Sequence, residues 1–120
     1  MGGVLASDFL RGHTDAIILS LLSLKDSYGY EIFKAIIEIT GEQFKLKEAT
    51  LYASFKRLEH DGFVTSYWGD ETKGGRRKYY VITDTGRNRL EQSKKEWKYM
   101  VNIINSLLGW SFPKPETADL

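Results

Sequence analysis

Apolar positions along the chain follow two rhythms, one returning every three to four residues and one alternating, and the switch between them divides the sequence. From Val4 to Leu24 the second half is apolar nearly all round, with Ile17, Ile18, Leu19, Leu21, Leu22 and Leu24 interrupted only by serines. A helix of that kind must be covered on every side. Its second face is covered either by a partner subunit or by complete enclosure within one domain. Asp26-Ser27 then offers side-chain oxygens to cap a helix and Gly41 offers a stop, so a second helix is predicted over Tyr28 to Thr40. Ile32, Phe33, Ile36 and Ile37 form its buried stripe. A third helix is predicted from about Lys47 to His60, where Leu51, Phe55 and Leu58 recur at i, i+4 and i+7.

After Gly62 the period becomes two. Phe63 to Trp68 and Lys78 to Thr83 are rich in β-branched and aromatic residues and read as the paired strands of one hairpin. The link from Gly69 to Arg77 is longer than a tight turn and carries three glycines. Thr83-Asp84 caps a last long helix reaching about Leu108, and Pro113 and Pro115 mark a loose tail. Helix, helix, helix, hairpin, helix is the order of a mainly α fold with a small β-hairpin. That is the layout of a winged helix-turn-helix, over residues 1–83, extended by a C-terminal dimerisation helix (84–108) and a tail (109–120).

Length and composition fit that reading. The chain of 120 residues is one domain's worth, and 42% hydrophobic with 28% charged residues describes a globular protein. With no cysteine, disulfides, thiolate zinc sites and cysteine nucleophiles are excluded. Met1 to Phe9 has no signal-peptide pattern and no apolar run approaches the roughly 18 residues of a membrane span, so a cytoplasmic protein is expected, with no membrane partner.

Charge changes the picture more. The formal net charge is only +1, yet residues 1–44 hold 3 Lys/Arg against 6 Asp/Glu, residues 45–98 hold 13 against 8, and residues 99–120 hold 1 against 2. A basic centre lies between acidic flanks. Its sharpest stretch is Lys73-Gly74-Gly75-Arg76-Arg77-Lys78, which taken alone is equally a solvated loop. On the third helix, 100° per residue sets Ala49, Ala53, Lys56, Arg57 and His60 opposite the core, with Thr50 and Tyr52 flanking and Glu48 in the first turn. No carboxylate lies on that outer face. A helix fits the DNA major groove, and small residues let its backbone come close. Ala49, Thr50 and Ala53 are therefore candidates for thymine methyls, and Tyr52, Lys56 and Arg57 for base edges or phosphates. The hairpin becomes a wing whose glycines follow the duplex backbone while Lys73, Arg76, Arg77 and Lys78 neutralise phosphates.

Several consecutive strings carry a family resemblance: Ala49-Thr50-Leu51-Tyr52, Phe55-Lys56-Arg57-Leu58-Glu59, Asp61-Gly62, Gly74-Gly75-Arg76-Arg77-Lys78-Tyr79-Tyr80, and Ile82-Thr83 with Gly86. Together they resemble the PadR family of bacterial transcriptional regulators over roughly Phe9 to Leu108. Tyr67-Trp68-Gly69-Asp70-Glu71 and Trp97 are most similar to the short subgroup that contains a lactococcal multidrug-binding repressor. The resemblance implies a homodimer joined through the C-terminal helix, an inverted-repeat operator in double-stranded DNA, and release by a small planar compound or another signal. Many members have proline where this chain has Glu48, a departure that bears on the helix start.

Leu90, Trp97, Val101, Ile104 and Leu108 are spaced 7, 4, 3 and 4 apart, a heptad-type seam predicted as the dimer interface. Ser93 and Lys94 interrupt it next to Trp97, so two facing indoles would flank a gap able to stack a planar aromatic molecule, or Trp97 is simply an aromatic of the dimer core. Matching positions to the resembled subgroup implies that Phe9, Asp15, Ala16, Ser93, Trp97 and Val101 line this slot. Where that relative carries an acid, this chain has Val101. Asp15 is alternatively a plain solvent-facing residue.

Enzyme readings fail on spacing: no phosphate-binding glycine loop, no His pair at metal-ligand spacing, and His60 with neighbours Glu59 and Asp61 that point to different sides of a helix. No catalytic residues, metal or cofactor are expected. The competing reading is a winged helix that binds proteins with the same surface and no sequence-specific DNA binding.

Overall fold

A computed structural model describes residues 12–70 and 75–113. Within them the order is α1 (Thr14–Leu22), β1 (Ser27–Tyr28), α2 (Gly29–Ile39), α3 (Glu48–His60), β2 (Val64–Trp68), β3 (Lys78–Ile82) and α4 (Asp84–Gly109). The expected helical stretch before Gly12, Phe9, Lys73, Gly74 and the end of the tail lie outside the described residues.

The apolar character of α1 is accounted for by the chain itself. Ile18, Leu19 and Leu22 are fully buried and Ile17 and Leu21 partly so, because α1 packs against α3, α4 and β3 at once. Leu24, beyond the helix end, is exposed. The enclosed-helix alternative therefore describes most of α1.

The expected cap at Asp26-Ser27 is corrected. Ser27 and Tyr28 form a third, two-residue strand that pairs with Tyr80 and Tyr79, giving an antiparallel sheet in the order β1-β3-β2. Ser27 is buried, its hydroxyl donates to the Lys25 carbonyl, and α2 starts after an extended Tyr28 without a side-chain cap. Pairing with the β3 edge engages the backbone of Ser27 and Tyr28 themselves, and here the tertiary partner wins over the local cap.

Between α2 and α3 the chain reverses through Gly41 and Glu42, both at positive φ (58° and 66°). The Thr40 hydroxyl donates to the Ile36 carbonyl (2.8 Å) and accepts from the Phe44 amide (3.1 Å), which fixes this turn. Phe44 and Leu46 are buried behind it, two core residues that no periodic pattern announced. The expected face of α3, Leu51, Phe55 and Leu58, is buried together with Ser54, and Phe55 stacks on Tyr80 of β3 at 4.1 Å.

The β2–β3 hairpin forms as expected, and its register sets Val64 opposite Ile82 and Trp68 opposite Lys78. Thr83 joins it to α4. Its hydroxyl accepts from the Gly86 amide (2.9 Å), as the capping signal required, and donates to the Gly62 carbonyl (2.8 Å). Gly86 is needed for contact: a Cβ there would sit 2.1 Å from the Phe63 carbonyl oxygen. Leu90 is corrected: expected on a seam facing a partner, it is 4% exposed and belongs to the chain's own core. α4 stays beside α1 as far as Trp97 and Met100, and the later turns of this 26-residue, roughly 39 Å helix run on past the body.

Candidate nucleic-acid interface

The outer side of α3 is solvent-facing as the helical wheel required: Ala49, Thr50, Tyr52, Ala53, Lys56, Arg57 and His60 are all exposed. Ala49, Thr50 and Ala53 line a groove of ≈ 680 Å³ whose other wall is the start of α1. Lys56 has no ion-pair partner among the described residues. Tyr52 is half-exposed, but its ring leans on the start of α2, where a Cβ on Gly29 would come within 2.5 Å of the phenol oxygen. Gly29 thus sets where Tyr52 lies along the α3 flank.

Arg57 departs from the expected outward role. Its Nε donates to one Asp15 carboxylate oxygen (3.0 Å) and its Nη2 to the other (2.6 Å). Nη2 also donates to the buried Ser54 hydroxyl (3.0 Å). The Asp15 hydrogen bonds hold the guanidinium even further above its ordinary pKa, so it stays a cation. Sequence reasoning missed this pair because the two residues are 42 positions apart; opposite charges on the outer sides of the first and third helices were the only signal.

In the wing, Gly75 adopts positive φ (91°) and Arg76 stands over the exposed Trp68 ring (5.6 Å). Arg77 lies over Tyr28 (4.5 Å), part of an aromatic row in which Tyr79 contacts both Tyr28 and Tyr67. Lys78 is corrected: its ammonium turns inward to Glu59 (3.4 Å) and over Tyr80 (5.4 Å) instead of toward solvent. Glu59 also accepts from the Ser66 hydroxyl, so its carboxylate ties the end of α3 to both hairpin strands. The described cations offered outward by this face are Lys47, Lys56 and Arg76, with Arg77 laid on the tyrosines.

On the opposite side, α1 and α4 enclose a cavity of ≈ 470 Å³. Ala16, Ser93 and Trp97 line it, joined by Ile17, Met100 and His13, whose ring meets the Trp97 indole edge-on at 5.1 Å. One slot expectation is corrected: Asp15 points the other way, to Arg57. Val101 lines a separate surface groove together with Trp97 and Lys98. Among the described residues no cluster of three or more His, Asp or Glu could hold a metal, and no helix is long and apolar enough to cross a membrane.

The architecture is a three-stranded winged helix-turn-helix with an exposed face of small and cationic residues on α3, the fold class of winged-helix proteins. The chain belongs to the Transcriptional regulator PadR-like family, whose sequence profile matches residues 18–92. A transcriptional regulator from Clostridium thermocellum has a similar structure, at 48% identity and a TM-score of 0.79, covering 86% of this chain and 97% of that one. A PadR family transcription regulator from Clostridium difficile is similar at 41% identity and a TM-score of 0.69, covering 80% and 98%. The negative transcriptional regulator PadR of Bacillus subtilis is 30% identical over 61% of this chain, which spans 40% of that protein's length. All three relatives are transcriptional regulators.

Proposed function

We propose that this chain is a repressor that binds an inverted-repeat operator in double-stranded DNA as a homodimer. The observation that carries the reading is the exposed side of α3, where Ala49, Thr50 and Ala53 line an open groove beside Lys56 and no α3 carboxylate intrudes. In this reading α3 enters the major groove. Lys56 and the wing's Lys73, Gly74, Gly75 and Arg76 meet phosphates, while Ala49, Thr50, Ala53 and Tyr52 meet base edges. Trp97, Val101, Ile104 and Leu108 of α4 join two protomers. The Trp97 cavity takes a small planar aromatic molecule as inducer, with Ala16 and Ser93 in its wall and without Asp15.

The test is selection of bound duplexes from a random pool, followed by footprinting of the enriched sequence. The expected footprint is two related half-sites about 10 bp apart, centre to centre, or a multiple of that spacing. A pool with no enrichment, together with no mobility shift of genomic fragments at low salt, contradicts the reading and leaves the protein-interaction module as its replacement.

A further inference from the structure

The groove along α3 holds one carboxylate among its described lining residues. Asp15, in the first turn of α1, lines it from the wall opposite Ala49, Thr50 and Ala53, and its carboxylate accepts the full Arg57 fork. Neither partner is deeply buried: the side chains are 53% and 34% exposed for Arg57 and Asp15. A guanidinium fork matches a phosphate in the same two-pronged way as it matches a carboxylate. A cation on the face that meets DNA is thus already occupied from inside the molecule, while Lys56, one residue before it, has no such partner among the described residues. The buried Ser54 hydroxyl anchors the fork from the α3 side and so holds it turned toward α1.

Sequence-independent affinity for DNA comes from phosphates neutralised by Lys and Arg, and discrimination is a difference between that background and the specific complex. Building on the DNA-binding reading above, we propose that Asp15 is a specificity-determining residue. It withholds Arg57 from phosphates and places a negative charge in the groove, which keeps binding to unrelated DNA weak. Its role is to subtract one phosphate contact from the background, while Thr50 and Ala53 stay free to meet bases. Arg57 in turn is a positioning residue that fixes α3 against α1.

The experiment is anisotropy titration of a random-sequence duplex between about 50 and 200 mM salt, with the full chain and three variants. Asp15→Asn keeps the shape and removes the charge. It is expected to bind roughly three- to tenfold tighter at the low-salt end, with the slope of log K against log salt steeper by about 0.9, one extra phosphate. Arg57→Gln is expected to leave that slope unchanged, because the native fork touches no phosphate. The double variant Asp15→Asn/Arg57→Gln should return to the native slope. An unchanged slope for a folded Asp15→Asn overturns the proposal, as does a slope shallower by about 0.9 for Arg57→Gln. If Asp15→Asn does not fold, the Arg57→Gln slope decides alone. Failure of the unmodified chain to bind any duplex at low salt is a separate outcome, overturning the DNA reading and this proposal with it.

Discussion

The helices α3 and α4 solve opposite problems. α3 turns all its large aliphatic side chains inward and shows solvent a face of small and cationic residues. α4 buries Gly86 and Leu90 in its first turns and then leaves Trp97 half exposed, Leu107 72% exposed and Leu108 82% exposed. Burying an apolar side chain is worth about 1.5–3 kcal/mol, and the exposed Leu107 and Leu108 beyond the Trp97 and Met100 contacts leave that stabilisation unmade within the single chain. In the proposed function the polar face of α3 meets DNA and the apolar far turns of α4 meet a second protomer.

Substitutions can break or sharpen this contrast, and the largest effect belongs to the body. Phe55→Ala empties a site at 0% exposure stacked on Tyr80 and is expected to lower unfolding free energy by about 4 kcal/mol, measured by denaturant titration. Leu107→Ala, on the exposed run, should change the stability of the dilute chain by less than about 0.5 kcal/mol; a loss as large as that of Phe55→Ala would erase the distinction. Next comes Gly86→Ala, which drives a methyl onto the Phe63 carbonyl at the joint between body and α4. It should cost about 3 kcal/mol in the same titration.

Ile104→Glu puts a charge on the proposed dimer seam. It should weaken self-association at least about 100-fold in sedimentation while leaving the helical circular dichroism of the monomer intact. Thr83→Ala removes the α4 cap and the tie to Gly62, and about 1 kcal/mol of stability is expected to go with it, read from the thermal midpoint. The smallest effect is a pH dependence. Burial holds the Tyr80 phenol above its ordinary pKa of 10.0, so the folded chain keeps a proton that the unfolded chain releases. Stability should therefore be full below about pH 10 and decline above it, and Tyr80→Phe should flatten that decline.

Local periodicity was enough to read the four helices and the hairpin, because Leu51, Phe55 and Leu58, or Ile32 and Ile36, bury one face of a single element. Features that depend on two distant segments were not legible. Ser27-Tyr28 looked like a cap and became a strand, since only the folded chain places the Tyr79-Tyr80 edge beside it. Leu90 kept the heptad spacing of the seam, but spacing alone does not say where along a helix the body ends. The exposed side of α3 followed from the helical wheel. The turning of Arg57 to Asp15 and of Lys78 to Glu59 did not, because each pair joins separate elements. Charge counts therefore overstated how many cations this face offers outward.

The central claim, that the α3 face meets DNA while the far turns of α4 do not, is tested most directly by reductive methylation of lysines with and without duplex DNA, read by mass spectrometry. Lys56 on α3 and Lys98 on α4 are both exposed in the free chain. The account predicts that DNA suppresses modification of Lys56 and leaves Lys98 as reactive as before. Protection of Lys98 with Lys56 unchanged would contradict it.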